Sequence, residues 1–163
     1  MPPSDTSTGG FSPAMTARLA QKLAENQDDL DGWLLLGRSY SVLGQYPLAI
    51  RAFQRADRIA KGQNVEAIFG VAESLMAQDT EELGRAAGHL FEKALELEPN
   101  NPKALFYAAF AALARNELPL ARERFVRLQS FNLPPEAQSL VEQRLAAIDQ
   151  EMGGAPAPAA GDA

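Results

Sequence analysis

The 163-residue chain contains no cysteine and only one histidine, His89. It therefore has no disulfide, no thiolate nucleophile and no Cys/His zinc site. A chain without cysteine suits either a reducing or an oxidising compartment, because it has nothing to keep reduced and nothing to mispair. We expect no metal, no cofactor and no catalytic activity, since His89 has no Ser elbow or carboxylate constellation near it in sequence. A position on a helix surface is the expectation for His89.

Basic clusters and long apolar runs are also missing. The 15 Lys and Arg residues are outnumbered by 21 Asp and Glu residues, which gives a net charge of −6. Without clustered cations, binding to nucleic acid or to anionic lipid is not expected. No apolar run approaches the roughly 18 residues that span a bilayer. The N-terminal residues MPPSDTSTGG do not resemble a signal peptide. If this domain works outside the cytoplasm, we expect the exporting segment to lie outside this sequence.

Alternating β-branched runs are absent between the two ends of the chain, so we predict an all-α fold. Residues 1–11 and 153–163 are rich in Pro, Gly, Ser, Thr and Ala, and we predict a disordered linker and a disordered tail. A first helix is indicated by Ser12 at the N-cap and Pro13 at the first helical position. Its apolar face recurs every four residues, at Met15, Leu19 and Leu23.

From Leu30 onward the sequence repeats, and the first unit carries the clearest pattern. Counted from Leu30 as position 1, the first unit matches the pattern W-x2-L-G-x2-Y followed by A-x3-F. The matching residues are Trp33, Leu36, Gly37, Tyr40, Ala49 and Phe53. This pattern is typical of the tetratricopeptide repeat (TPR), a hairpin of helices A and B about 34 residues long. Gly44 lies in the predicted A–B turn, where a positive φ is expected.

Two further units follow the first. The second half-pattern is Ala87-x3-Phe91 and the third is Ala121-x3-Phe125, which lie 34 residues apart. The separation between Ala49 and Ala87 is 38 residues, so we place one insertion before a helix that begins at Val65 and three in a lengthened turn at 78–83. The predicted repeats cover about 30–63, 65–100 and 102–133.

A last amphipathic helix is predicted over 135–152, after Pro134 and Pro135. Its apolar residues are Leu140, Val141, Leu145 and Ile148. Terminal repeats need a cap with a polar outer face, and this helix fits that need. The predicted architecture of the domain, residues 12–152, is a TPR superhelix of three helix-hairpin repeats with a leading helix and a C-terminal capping helix.

A narrower resemblance is carried by residues 17–46, ARLAQKLAENQDDLDGWLLLGRSYSVLGQY. This run resembles the start of the periplasmic C-terminal domain of the cytochrome c biogenesis protein CcmI/CycH family, which NrfG-type haem-lyase subunits share. The stretch PNNPKALFYAAFAAL also resembles the third A helix of that family. The likeness extends over roughly residues 14–150.

The resemblance implies a function and a location. Family members bind the C-terminal segment of an apocytochrome c and pass it to haem-lyase subunits, so these are the implied partners. It also implies a periplasmic domain, tethered to the inner membrane by a segment absent here; a cytoplasmic location is the alternative. A generic TPR scaffold for another complex is the alternative function. Self-association through the apolar stripe is a further possibility.

In this family, positions 2, 5, 9, 12 and 13 of each A helix meet the ligand on the concave face. The candidate peptide-binding residues at these positions are Leu34, Arg38, Phe69, Glu73, Met76, Phe106, Phe110 and Leu113. Large apolar side chains that hairpin packing does not need indicate an interaction groove. The alternative is that the leading or capping helix covers them and makes them ordinary core.

The charged candidates also leave alternatives open. Arg38 is predicted to bind a ligand carboxylate, or else to be solvated or paired with Asp31 or Glu73. Residues 63–100 carry eight acidic against two basic side chains, equal to the whole net charge of −6. This acidic middle repeat is interpreted as a solvated face, or as a surface that steers a basic partner.

Overall fold

The computed structural model describes residues 11–153, which form eight α-helices and one short 3-10 helix. The α-helices are α1 (Pro13–Glu25), α2 (Leu30–Val42), α3 (Tyr46–Ile59), α4 (Val65–Gln78), α5 (Ala86–Leu97), α6 (Pro102–Ala114), α7 (Leu118–Leu128) and α8 (Pro135–Gly153). No strand is found over this range, and the predicted all-α class is confirmed. Apart from Phe11 and Gly153, the predicted linker and tail lie outside the described residues.

The helices form three antiparallel hairpins in chain order, α2 with α3, α4 with α5, and α6 with α7. Each hairpin packs on the next, because α3 contacts α4 and α5 contacts α6. Helix α1 packs on α2 at one end, and α8 packs on α7 at the other. This is the predicted TPR arrangement, with α2, α4 and α6 as the A helices.

Side-chain caps fix where the first helix and the three A helices begin. The side chains of Asp29, Asn64 and Asn101 accept hydrogen bonds from backbone amides three residues later, at 2.9, 2.8 and 3.1 Å. Ser12 does the same for Met15 at 3.2 Å, as predicted for α1. Such caps satisfy amides that have no partner inside the helix.

The turns between A and B helices use left-handed residues. Gly44 has φ 71° in the first hairpin, as predicted, and Asn116 has φ 59° at the matching place in the third. The second turn contains the insertion and forms the 3-10 helix, Thr80–Gly84, which packs on α4, α5 and α6. The lengthened turn was predicted from repeat spacing, but its helical form was not.

The ring of Phe53 separates two A helices at a point where neither has a side chain. A Cβ atom added to Gly37 on α2 would lie 2.7 Å from this ring, and one added to Gly70 on α4 would lie 2.4 Å from it. Both distances are far below van der Waals contact, so both positions require glycine. Phe53, only 3% exposed, therefore fixes how closely α2 and α4 approach.

A buried charge network joins the second and third hairpins. Arg124, 9% exposed, donates to both carboxylate oxygens of Glu92, at 2.5 and 2.6 Å, and to the carbonyl of Ala108 at 2.9 Å. Arg115 donates to the same carboxylate at 2.9 Å. Burial alone would raise the pKa of Glu92, but the hydrogen bonds and charges of the two arginines outweigh it, so this pKa is lowered.

We expect Gly70→Ala to destabilise the fold, because the new methyl group overlaps the Phe53 ring. Overpacking of this kind costs about 1–3 kcal/mol. Urea unfolding followed by circular dichroism measures the loss. Gly153→Ala is the control, since no atom of the described residues lies within 4 Å of a Cβ there. Equal stability of the two variants would contradict the packing of Phe53 against α4.

We expect Glu92→Gln to lower stability at pH 7 by about 2 kcal/mol, because Arg124 loses its carboxylate partner while it stays buried. Because the pKa of Glu92 is lower in the folded chain than the unfolded value of 4.5, its carboxylate adds to the free energy of unfolding above pH 4.5. This contribution is lost as the pH falls through the folded-state pKa. Stability of the variant should therefore fall less steeply than that of wild type below pH 4.5. Glu96→Gln, an exposed site on the same helix, is the control. If the stability of wild type and of Glu92→Gln falls equally steeply with decreasing pH, the lowered pKa of Glu92 does not contribute to stability.

Candidate functional site on the concave face

The candidate peptide-binding residues fall into two groups in the structure. Arg38 is exposed on α2, and Glu73 is half-buried on α4. Four apolar candidates are partly exposed, at Met76, Phe106, Phe110 and Leu113. The two remaining candidates, Leu34 and Phe69, are buried.

The prediction that Leu34 is left free for a ligand is wrong. Its side chain is 5% exposed and belongs to a core cluster with Ala49, Phe53 and Val71. These residues belong to α3 and α4, which therefore cover Leu34 from two sides. It joins the first two repeats and holds the floor of the concave face in place.

Phe69 is also buried, at 8% exposure, which again corrects the prediction. One contact is the ring of Phe91 from the partner helix of the hairpin, with centroids 6.0 Å apart. A second is the ammonium group of Lys103, which lies 4.8 Å from the ring centroid. This cation–π contact from the next A helix covers the ring, which was predicted to face a ligand.

The aromatic row on α6 keeps more of its surface exposed. Phe106 and Phe110 have ring centroids 4.9 Å apart, and Phe110 meets the edge of Phe125 at 5.0 Å. The guanidinium of Arg144 on α8 lies 5.9 Å from the Phe110 ring. The capping helix therefore covers Phe110 in part, as the alternative interpretation expected, while Phe106 and Leu113 remain half-buried.

Two ion pairs cross the concave face in the same register. Arg38 on α2 pairs with Glu66 on α4, and Glu73 on α4 pairs with Lys103 on α6. In each pair, the residue at position 9 of one A helix meets the residue at position 2 of the next. The predicted partners of Arg38, Asp31 and Glu73, were therefore wrong. All four side chains are 40–49% exposed, so each pair contributes little to stability.

A cleft of about 370 Å³ opens between α2 and α4. Sequence reasoning did not anticipate it, because it combines residues from four segments. Its lining residues are Phe11, Arg38, Ser41, Val42, Tyr46, Phe53, Gly70, Glu73 and Ser74. Gly70 is the one sequence signal that could have revealed the cleft, as a glycine inside a helix marks a close approach. We call this the α2–α4 cleft.

A second depression of about 630 Å³ lies between α1 and α2 and shares Arg38 with the α2–α4 cleft. Its lining mixes apolar residues such as Leu19 and Leu35 with charged ones such as Lys22, Asp29 and Asp31. Its lining carries three acidic residues against two basic ones, so its charge is close to balanced with a slight negative excess. It extends the concave surface toward the N-terminal end of the array.

Neither a metal centre nor a membrane span is evident over residues 11–153. No group of three or more His, Asp or Glu side chains in this range is placed to hold a metal ion. No helix there has both the length and the apolar character needed to cross a bilayer. His89 is exposed on α5, as predicted.

Comparison with known proteins shows that the chain matches one protein family. Residues 14–139 match the family described as "Cytochrome c-type biogenesis protein H TPR domain". The cytochrome c-type biogenesis protein CycH of Rhizobium meliloti (strain 1021) is 32% identical over 145 residues, which are 88% of this chain and 36% of that protein. NrfG, a subunit of the formate-dependent nitrite reductase complex of Escherichia coli O157:H7, is 26% identical over 74% of this chain and 61% of its own length.

A solved structure shares the architecture. The Yersinia enterocolitica type III secretion chaperone SycD, in complex with a peptide of the translocator YopD, superposes with a TM-score of 0.61. The match covers 76% of this chain and 95% of SycD at 23% identity, which supports the TPR fold alone. The family match extends over most of the helical array, and it confirms the resemblance found in residues 17–46. The chain belongs to the family of cytochrome c-type biogenesis protein H TPR domains.

Proposed function

We propose that this chain is a non-catalytic protein-binding domain in c-type cytochrome maturation, which holds the C-terminal segment of an apocytochrome c on its concave face. It acts in the periplasm and presents the apocytochrome to haem-lyase subunits. The matched region spans about a third of the length of CycH. A tether to the inner membrane, supplied by a segment outside this sequence, is part of the proposal. The relatives named for cytochrome c-type biogenesis and the peptide bound to SycD support this proposal.

The observation that carries the proposal is the row of partly exposed apolar side chains along two A helices. Met76 on α4 and Phe106, Phe110 and Leu113 on α6 are partly exposed, and they lie at positions 5, 9 and 12 of their A helices, where the resemblance implies contact with a ligand. Aromatic and methionine side chains provide large contact areas and adapt to irregular partners. Their partial exposure leaves apolar area that a ligand can remove from water.

An amphipathic helix is the ligand that this surface suits best. Such a helix presents apolar residues at a spacing of three and four, and Phe106, Phe110 and Leu113 offer a facing row with the same spacing. The nearby ion pairs Arg38–Glu66 and Glu73–Lys103 are half exposed, so a ligand of either charge can exchange partners with them. Charged contacts then set register and association rate more than affinity.

We expect Phe106→Ala to weaken binding of a 20-residue peptide from the C-terminus of an apocytochrome c by about five- to thirtyfold. Buried aromatic anchors contribute about 1–2 kcal/mol or more to such interfaces. Isothermal titration calorimetry measures the change, with a scrambled peptide as the ligand control. Val126→Ala is the protein control, since it removes a 42% exposed apolar side chain on α7, outside the concave row.

Two results would reject different parts of this proposal. Equal affinity for the native and scrambled peptides would remove the apocytochrome as the ligand and favour a generic scaffold. Equal losses in Phe106→Ala and Val126→Ala would remove the α6 row from the binding surface. Thermal unfolding of each variant checks that the truncated side chain has not unfolded the array.

A further inference from the structure

We infer that the α2–α4 cleft is a specificity subsite that receives one aromatic side chain of a bound partner segment, and that Phe11 forms one of its walls. The inference rests on the proposed function only in taking the ligand to be a protein segment. It adds a residue, Phe11, that lies outside the repeats and that sequence analysis assigned to a linker.

The floor of the cleft exists because two helices lack side chains there. Gly70 presents bare backbone beside the ring of Phe53, and any side chain at this position would meet that ring at 2.4 Å. The opening above it is therefore bounded by the backbone of Gly70 and by the small part of Phe53 that the two helices leave uncovered. The partly exposed aromatic lining, Phe11 and Tyr46, favours a planar side chain, since offset or edge-to-face aromatic pairs add to the gain from burial.

Aromatic and aliphatic walls complete the cleft. Tyr46, at the start of α3, and Phe11, before α1, are both partly buried, and Val42 is 51% exposed at the end of α2. A half-exposed valine beside two aromatic rings is apolar area that the array itself does not cover. The three residues come from different elements. Phe11 precedes α1, which runs antiparallel to α2, so Phe11 lies near Val42 at the end of α2 and Tyr46 at the start of α3.

Phe11 lies where a hydrophobic staple to α1 would begin. It precedes the N-cap Ser12, where an apolar residue often packs on the fourth helical residue as a hydrophobic staple. That fourth residue is Thr16, whose hydroxyl donates to the carbonyl of Ser12 at 2.9 Å. A polar residue therefore stands where the apolar partner of a staple would be, and the ring of Phe11 lines the α2–α4 cleft.

The charges on the rim select against a charged occupant. Arg38 and Glu73 lie on opposite sides of the cleft, and each already pairs with an opposite charge outside it, Glu66 and Lys103. The rim is thus neutral overall, and the apolar lining decides which side chain is bound. A volume of about 370 Å³ is at the low end for ligand pockets, and it suits one large side chain.

The chain's own terminal residues offer no such side chain. Residues 1–10 and 154–163 contain no Phe, Tyr or Trp and no Leu, Ile or Val. Every other aromatic residue between 12 and 153 lies within a helix, apart from Phe131, which packs against the core of the third repeat. An aromatic residue of a partner segment is the occupant that remains.

The test uses the ¹⁵N-labelled 163-residue chain and two small probes, N-acetyl-phenylalanine amide and N-acetyl-alanine amide. We expect the phenylalanine probe to shift the amide resonances of Gly70 and Ser74 saturably, and the alanine probe to leave them unchanged. Phe11→Ala should weaken this binding about two- to tenfold, the worth of one aromatic pair. Met15→Ala, which removes a 59% exposed apolar side chain on α1, should not alter it.

The inference is overturned if the phenylalanine probe causes no shift at Gly70 and Ser74, or if Phe11→Ala binds it equally or more tightly. A dimer in sedimentation velocity that Phe11→Ala abolishes would also overturn it, by making a second copy the occupant. The apocytochrome peptide separates this inference from the proposed function. If the peptide does not bind but the probe does, the proposed function fails and the subsite stands; the reverse result removes only the subsite.

Discussion

The contact of Phe53 with two glycines sets the geometry on which the concave face depends. Gly37 and Gly70 let α2 and α4 close on opposite sides of one ring, and this spacing buries Leu34 between the first two repeats. The same approach brings Arg38 within reach of Glu66 and leaves the α2–α4 cleft above the ring. Each repeat can bury its apolar face only against its neighbour, so a change in this spacing would alter the core and the binding surface together.

Much of the fold is predictable because it is local. The caps at Ser12 and the glycine turn at Gly44 act within a few residues, and the TPR pattern marks which helix faces are apolar. The burial of Leu34 and Phe69 is not predictable from the sequence, because it depends on contacts between helices that are distant in the chain. A repeat position gives the direction of a side chain from its own helix, but not what the next helix places over it. Residues of α3 and α4 close over Leu34, and Lys103 from α6 covers Phe69.

Three carboxylates of the acidic middle repeat pair with basic residues of the neighbouring repeats, which the composition does not reveal. Glu66 pairs with Arg38 of the first repeat, while Glu73 and Glu92 pair with Lys103 and Arg124 of the third. The partners of Glu66 and Glu92 are 28 and 32 residues away, so they depend on how hairpins stack and not on helix periodicity. The interpretation of this repeat as a solvated face is therefore incomplete, because several of its carboxylates join it to its neighbours.

These pairings also divide the concave face into two chemically different parts. Near α2, paired charges surround a small cleft that accepts one side chain, whereas α6 presents a row of aromatic surface that suits one face of a helix. Since the charges between the two parts are already paired, most of the binding free energy comes from burying apolar area. The ion pairs determine how the ligand is aligned along the face. A partner that engages both parts needs an apolar helical stripe and, beyond it, one aromatic residue. That combined requirement selects ligands more strictly than either part alone, because each part rejects segments that satisfy only the other.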